Sequence, residues 1–292
     1  MRKPLRGQVA LVAGATRGAG RAIAVSLALA GAVVCATGRS VRGRPATPGR
    51  PETIEETEEL IRSYGGRACA IRVDHTNETE VTSLIHRISR RERGRLDILV
   101  NDIWDGEELT EWGRPPWTMK YQLGRTMIER AVFSHILTSR YAVPLMVKRK
   151  RGIVFEITDG DHLEYRGSLF YDLVKTAVIR LAQDYHEEFV EAKLRRLHAV
   201  AVTPGFLRSE FMLDQFGVTE KNWRDAATKV RRFSASETPY FLGRSIVALA
   251  TDPHIGKKSG RVYGSWTIAK EYGFTDLNGT RPDWGRALHE GK

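Results

Sequence analysis

Short apolar runs alternate along the chain with amphipathic stretches of helical period. This alternation is typical of βαβ units, in which a helix connects two parallel strands of one sheet. The apolar runs predict seven strands, at residues 9–13, 32–37, 68–73, 96–100, 153–157, 198–202 and 261–263. The amphipathic stretches predict six helices. They lie at residues 18–30, from after residue 51 to about 64, at 78–91, from after residue 116 to about 148, at 171–192 and at 240–250. We therefore predict one α/β domain over residues 1–292, with a doubly wound parallel sheet.

Two segments stand apart from this alternation. Residues 206–238 form a helical insert whose aromatic and apolar side chains predict a lid over a substrate, although the same spacing also fits plain packing or a subunit contact. Residues 267–292 form a tail without clear periodicity, which could close over the site of a neighbouring subunit. We find no internal repeat and no interdomain linker.

The composition narrows the class of protein. Of the 292 residues, 41% are hydrophobic, which is ample for a core and excludes a disordered chain. The apolar stretch at 22–36 is interrupted by Ser26 and Gly31, so we expect neither a membrane span nor a secretion signal. Cys35 and Cys69 lie in predicted strands, where we expect buried free thiols. These features favour a cytoplasmic protein.

The net charge of +11 is concentrated at the start of the chain. Residues 1–50 hold nine Lys and Arg and no acidic residue, which leaves 37 basic and 35 acidic residues in the remainder. Such a segment fits either a nucleic-acid surface or a cofactor that carries phosphate.

A glycine-rich turn favours the cofactor. Gly14, Thr16, Arg17, Gly18 and Gly20 follow the first predicted strand directly and open the first helix. Glycines in this context let the backbone approach a pyrophosphate, whose charge the helix N-terminus stabilises.

The second predicted strand indicates which dinucleotide would bind. An acidic residue at its end would bind a free ribose 2′-hydroxyl, but this chain has Arg39 and Ser40 there, followed by Arg42 and Arg44. Guanidinium groups make strong charge-assisted bonds to phosphate, so the sequence favours NADP(H) over NAD(H).

Tyr171 and Lys175 lie one helical turn apart and therefore on one face of a helix. An ammonium group there lowers the pKa of the phenol, so that the tyrosine can exchange a proton with a substrate oxygen at neutral pH.

Together these motifs resemble the short-chain dehydrogenase/reductase family over residues 7–265. The matching pieces occur in the order of the family: the glycine turn, Asp74, Asn101 after Leu-Asp-Ile-Leu-Val, Tyr171-x-x-x-Lys175, Pro204-Gly205, and Ser-Gly-Arg-Val at 259–262. The resemblance implies a single-domain Rossmann fold with a seven-stranded sheet. It also implies that Asp74 contacts the adenine, that Asn101 and Lys175 lie near the cofactor riboses, and that Tyr171 is the general acid/base. Pro204, Gly205 and Ser209 would line the nicotinamide end.

Three motifs depart from the family pattern. The usual Asn-Asn-Ala-Gly is Asn101-Asp-Ile-Trp104, and no asparagine occurs between residues 102 and 221 to supply the family's proton relay. His135 or Ser134 could hold a water molecule in its place. The family's catalytic serine is also absent, because Ile-Ser-Ser is here Ile-Thr158-Asp159.

The chemistry at the serine position stays open. An ionised Asp159 would raise the pKa of Tyr171, whereas a protonated Asp159 could donate a hydrogen bond to a carbonyl. Thr158 could also supply the hydroxyl after a shift of one residue. Impaired catalysis is the remaining alternative.

The loops after the fourth and fifth strands hold the candidate substrate groups. The first contains Trp104, Trp112 and Trp117 with several acidic residues, and the second contains acidic residues with His162 and Tyr165. Aromatic and acidic walls suit a ring-bearing substrate with polar or cationic groups, although the tryptophans could simply pack the loop.

The leading hypothesis is an NADP(H)-dependent oxidoreductase that acts on a small-molecule carbonyl/alcohol pair, with Thr158 or Asp159 polarising the carbonyl. The alternatives are a non-catalytic NADP-binding sensor and, last, a nucleic-acid binder. We expect no metal site, no membrane partner and no nucleic-acid partner, and a homodimer or homotetramer formed through the long helices.

Overall fold

Seven parallel strands within residues 3–289, the part of the chain that the computed structural model describes, form one sheet in the order β3-β2-β1-β4-β5-β6-β7. The strands are β1 Val9–Ala13, β2 Val33–Gly38, β3 Arg67–Arg72, β4 Ile98–Asn101, β5 Gly152–Ile157, β6 Leu197–Thr203 and β7 Val262–Gly264. The helices are α1 Gly18–Leu29, α2 Ile54–Ser63, α3 Glu78–Arg91, α4 Tyr121–Ile128, α5 Ser134–Arg149, α6 Leu169–Glu191, α7 Glu210–Phe216, α8 Pro239–Thr251, α9 Ser265–Tyr272 and α10 Trp284–His289. The predicted α/β fold is confirmed.

Helices cover both faces of the sheet, which is why the strands are almost continuously apolar. On one face, side chains of α1 and α8, among them Ile23 and Leu242, pack against Val12 of β1. On the other face, α3, α5 and α6 pack against Leu11 of β1. The strand order reverses between β1 and β4, and ligands of such sheets bind at that point, beyond the carboxyl ends of the strands.

The long helix predicted up to residue 148 is interrupted. It begins at Tyr121, widens into a π-helical turn over Glu129–Phe133 and resumes at Ser134. Such turns are rare and occur frequently at functional sites. This one lies next to the loop after β4, because Arg130 in the turn contacts Asp105 of that loop.

Residues 267–272 and 284–289 of the tail are helical, although the sequence of the tail shows no clear periodicity. Helix α9 packs on α8, and Tyr272 at its end donates a hydrogen bond to Asp252 at 2.5 Å. Two helical turns are too short to show a clear apolar period, so tertiary contacts determine this helix. Residues 290–292 of the tail, like residues 1–2, lie outside the described residues.

Candidate active site

A cavity of about 1020 Å³ lies where the strand order reverses, and it is lined by the loops that follow β1 to β6. Most of the predicted site residues line it together: Gly14, Thr16, Arg17, Gly18, Arg39, Ser40, Asp74, Thr158, Asp159, Tyr171, Lys175, Pro204, Gly205 and Ser209. Gly20 and Asn101 do not line the cavity.

The glycine turn needs its glycines for close backbone contact. Gly14 has a φ of +90°, and a Cβ there would lie 2.3 Å from the backbone oxygen of Asp102. A Cβ at Gly20 would lie 2.2 Å from the backbone oxygen of Gly14. Gly20 therefore allows α1 to pack closely against the glycine turn, and it does not line the cavity itself. Its backbone N–H donates to the carboxyl group of Asp102, whose pKa burial raises to about 7.

The N-terminus of α1 already holds an anion from the insert. The backbone N–H of Gly18 donates to Oε2 of Glu210 at 2.8 Å, and Arg21 lies 3.9 Å from the other carboxylate oxygen. A helix N-terminus stabilises negative charge, so this carboxylate lies where a phosphate group is favoured. Sequence analysis missed Glu210, because an acidic residue in the first turn of any helix is ordinary.

The basic groups near the end of β2 are partly paired. Arg39 forms an ion pair with Asp105, which also accepts from Arg130 at 2.7 Å. Arg17 donates to Thr47 at 3.4 Å. Arg42, in contrast, is exposed and pairs with Glu59, so it does not line the cavity.

The side chain of Asn101 is buried and does not line the cavity. Its amide donates to Oγ of Ser139 at 3.0 Å and to Oε1 of Glu156 at 2.8 Å. The other oxygen of Glu156 bonds Nδ1 of His135 at 2.7 Å, and Nε2 of His135 lies 3.0 Å from the backbone oxygen of Ile103. A carbonyl oxygen only accepts, so Nε2 carries a proton. His135 is thus fully bonded away from the cavity.

Ser134 is occupied as well, because its hydroxyl donates to the backbone oxygen of Arg130. Neither of the two residues considered for the missing asparagine therefore reaches the cavity.

Tyr171 and Lys175 project from α6 into the cavity, and Asp159 lies against the tyrosine. The Tyr171 hydroxyl donates to Oδ2 of Asp159 at 2.5 Å. Oδ1 of Asp159 pairs with Nη2 of Arg166 at 2.9 Å. Thr158 turns away, since its hydroxyl donates to the backbone oxygen of Lys175 at 2.7 Å. Of the two candidates for the serine position, Asp159 is thus the one in contact with the tyrosine.

The electrostatics of Tyr171 differ from the expectation of a phenol with a lowered pKa. Burial, followed by the Asp159 carboxylate, raises the pKa of Tyr171 well above its ordinary value. Burial lowers the pKa of Lys175, whose Nζ lies 3.9 Å from the ring centroid of Trp104 and 5.5 Å from that of Tyr171. Desolvation and the carboxylate therefore outweigh the ammonium group, and the phenol keeps its proton in this state.

Two of the three predicted tryptophans flank the tyrosine. The ring centroids of Trp104 and Trp112 lie 5.5 Å and 4.9 Å from that of Tyr171. Trp117 is almost fully exposed and does not line the cavity. Nearby, burial raises the pKa of Glu107, another cavity residue. The loop after β4 thus supplies an aromatic and acidic wall.

The insert covers the opposite side of the cavity. Its Phe206 packs edge-to-face against Phe233 at 5.0 Å and against Trp284 of α10 at 5.5 Å. Phe211, Met212 and Phe216 belong to the cavity lining as well. Trp284 thereby closes the site of its own chain, and a contact with a neighbour's site is not needed to explain it.

A buried carboxyl group connects the insert to the cavity floor. Oε2 of Glu237 accepts from the backbone N–H of Gly205 at 3.0 Å and from Ser265 at 2.5 Å. Its other oxygen, Oε1, has no hydrogen-bond partner within the described residues. Burial raises the pKa of Glu237 to about 8.

Residues 3–289 contain neither a candidate membrane span nor a candidate metal site. No helix in this range combines the length and the apolar character needed to cross a bilayer. No group of three or more His, Cys, Asp or Glu side chains in it could hold a metal ion.

Comparison with known proteins agrees with this geometry. The model of the short chain dehydrogenase family matches residues 8–216. The mouse protein dehydrogenase/reductase SDR family member 1 is 34% identical over 282 residues, which cover 94% of this chain and 85% of that protein. The human protein of the same name is 33% identical over 285 residues, covering 96% and 86%.

The fold is also found among solved structures. A short chain dehydrogenase of Mycobacterium thermoresistibile has a TM-score of 0.78 with this chain at 21% identity, covering 96% of this chain and 92% of that one. At this identity the likeness concerns the fold alone.

Proposed function

Since the chain belongs to the short-chain dehydrogenase/reductase family, an oxidoreductase family that uses a nicotinamide cofactor, we propose that it is an NADP(H)-dependent enzyme. It transfers hydride between the nicotinamide and a small-molecule carbonyl/alcohol pair. The observation that carries this proposal is that Tyr171 and Lys175 face the same cavity as the glycine turn at the N-terminus of α1.

The residues present fit a dinucleotide. The Gly18 N–H that holds the Glu210 carboxylate is a donor suited to a pyrophosphate oxygen, and the close approach at Gly14 leaves no space for a side chain. In the proposal Asp74 binds the adenine end, Lys175 the nicotinamide ribose, and the segment from Pro204 to Ser209 the nicotinamide end. A bound cofactor supplies or accepts the hydride.

The preference for NADP(H) rests on the charges at the end of β2. Arg17 and Arg39 line that end of the cavity, and no acidic residue precedes Glu52 in the sequence. Arg39 and Arg130 share the carboxylate of Asp105, so two guanidinium groups that could bind a 2′-phosphate meet at this end of the cavity.

Tyr171 moves the proton in this proposal. By the family pattern, the hydroxyl of Tyr171 gives its proton to the substrate oxygen. The raised pKa of Tyr171 favours the protonated phenol that carbonyl reduction needs. The rings of Trp104 and Trp112 pack against the ring of Tyr171.

A non-catalytic NADP-binding sensor is the second candidate. It is favoured by the Tyr171 hydroxyl, whose proton points to Asp159 instead of into the cavity. A nucleic-acid surface has less support, because Arg21, Arg39 and Arg50 pair with carboxylates of the chain itself.

Calorimetric titration with NADPH and NADH, followed by a turnover assay on a panel of aldehydes and ketones, separates these candidates. Tighter binding of NADPH and turnover that is lost in Tyr171→Phe are expected. Tight binding of NADPH without turnover on any carbonyl would favour the sensor, and binding of neither cofactor would overturn the proposal.

A further inference from the structure

Asp159 leaves the site short of a hydrogen-bond donor for a substrate oxygen. Carbonyl reduction places negative charge on that oxygen, and preorganised donors stabilise it. In the family pattern a serine hydroxyl serves as one donor, whereas an ionised carboxylate only accepts. The inference below rests on the proposed oxidoreductase function and concerns which group replaces this donor.

Arg166 is the cationic donor beside the tyrosine. Nη2 of Arg166 forms an ion pair with Oδ1 of Asp159 at 2.9 Å, and the hydroxyl of Tyr171 donates a hydrogen bond to Oδ2 of the same carboxyl group at 2.5 Å. Both side chains line the cavity. Among the described residues Asp159 is the one side chain that pairs with this guanidinium group, so its other N–H groups remain for a ligand.

The loop between β5 and α6 fixes this guanidinium group. The backbone N–H of Arg166 donates to Oδ2 of Asp172, in the first turn of α6, at 3.1 Å. Gly160 has a φ of +94°, and a Cβ there would lie 2.9 Å from Nη1 of Arg166. The backbone N–H of Gly160 donates to Thr203 at 2.9 Å. The loop thus holds the arginine over a position that admits only glycine.

We propose that Arg166 is a catalytic residue whose guanidinium group donates a hydrogen bond to the substrate carbonyl oxygen in place of the serine. Asp159 is a positioning residue that holds Arg166 beside Tyr171. The carbonyl carbon would gain the hydride that a bound reduced nicotinamide dinucleotide supplies as it is oxidised, and the π electron pair of the carbonyl moves to its oxygen. The Tyr171 hydroxyl turns from Asp159 to this oxygen, its O–H bond breaks as the new O–H bond forms, and the phenolate that remains regains a proton from water after the alcohol leaves. Arg166 keeps its protons throughout.

Arg166→Met tests this role in the full-length enzyme, because methionine keeps much of the length and removes every donor. We expect kcat to fall about 100-fold, as for loss of one oxyanion donor, with unchanged NADPH affinity in calorimetry. In an Asp159→Ser background, where a hydroxyl donor is restored, the same change should cost no more than about 5-fold, because the two donors replace each other. Arg180→Met, an exposed arginine of α6 that pairs with Asp184, is the matched control and should leave kcat unchanged.

A binding measurement reads the same contact without turnover. Acetophenone bound to the enzyme loaded with oxidised NADP cannot be reduced, and Arg166→Met should weaken its binding at least about 10-fold, as expected for a hydrogen bond from a charged group. If Arg166→Met has the same kcat as the wild type and binds acetophenone equally well, the role of Arg166 is overturned, whereas the proposed function is not. Equal losses in both backgrounds, in proteins with wild-type circular dichroism, would overturn the role of Arg166 as well. Binding of acetophenone by a wild type that reduces neither it nor any other aldehyde or ketone of the panel would overturn the proposed function, while the ratio of the acetophenone dissociation constants of Arg166→Met and the wild type still tests Arg166. Where the wild type does not bind acetophenone, the same ratio is measured with the ketone of the panel that it reduces fastest, and the same two results decide the role of Arg166.

Discussion

Glu210→Gln should tighten the binding of NADPH. The carboxylate of Glu210 accepts the Gly18 N–H at the N-terminus of α1, and a pyrophosphate must take that donor from it. Glutamine keeps the shape and an accepting oxygen, so that the change removes the charge alone.

The size of the effect follows from the position of the carboxylate. A negative side chain at a helix N-terminus contributes about 0.3–1 kcal/mol when exposed and more when partly buried. About a third of the Glu210 side chain is exposed (34%), and Arg21 lies 3.9 Å away, which places it near the upper end of this range. A loss of about 1 kcal/mol from the competing contact corresponds to NADPH binding that is about 5-fold tighter.

Isothermal titration calorimetry at fixed ionic strength measures the change. Asp225→Asn is the matched control, since it removes one negative charge from the exposed surface of the insert at a residue that does not line the cavity. The control should bind NADPH as the wild type does. An unchanged or weaker affinity in Glu210→Gln would refute the competition between this carboxylate and the pyrophosphate.

Two further predictions follow from buried or paired charges. Arg39→Ala should weaken NADPH binding roughly 10–100-fold and leave NADH binding unchanged in calorimetry, whereas the exposed Arg42→Ala should alter neither; an equal loss for both cofactors would count against a 2′-phosphate contact. Glu237 holds a proton in the folded protein up to its pKa of about 8, whereas in the unfolded chain it loses this proton near 4.5. Its contribution to stability is therefore present below pH 4.5 and declines as pH rises to about 8, by at most about 1.4 kcal/mol per pH unit. Urea denaturation of Glu237→Gln should show a flatter pH profile over this interval, and an unchanged slope would argue against the raised pKa.

The parts of the fold that depend on local pattern could be predicted from the sequence. The strand at Val9–Ala13 and the helix at Glu78–Arg91 have the predicted bounds, because continuous apolar runs and a strong helical period leave few alternatives. The grouping of most site residues in one cavity was predictable as well, since the carboxyl ends of parallel strands meet at one edge of the sheet.

Side-chain direction explains why Asn101 does not line the cavity. Successive residues of a strand point to opposite faces, so Asn101 lies on the same side as Leu99, which packs among α3, α5 and α6. The face of the sheet to which Asn101 points could therefore be predicted from its position two residues after Leu99. The bonds to Ser139 and Glu156 then hold the amide in the interior.

The remaining site features depend on contacts between distant residues. Glu210 reaches Gly18 across 192 positions, and Asp105 bonds Arg39 across 66. Loop geometry brings such charges together, and any arginine or glutamate in a loop has many alternative partners. Arg166 follows β5 as other candidate residues do, but its pairing with Asp159 becomes visible only in three dimensions.

We propose that Tyr171 donates the proton while hydride passes from NADPH to the carbonyl carbon. The most direct measurement follows the absorbance of NADPH during reduction of a panel of aldehydes and ketones by the wild type and by Tyr171→Phe, with the alcohol product quantified. We predict that the wild type consumes NADPH in equal amount to the alcohol formed. We also predict that Tyr171→Phe is about 10²–10⁴-fold slower at unchanged NADPH affinity. Tight NADPH binding without alcohol formation by the wild type, or equal rates for the two proteins, would contradict the account.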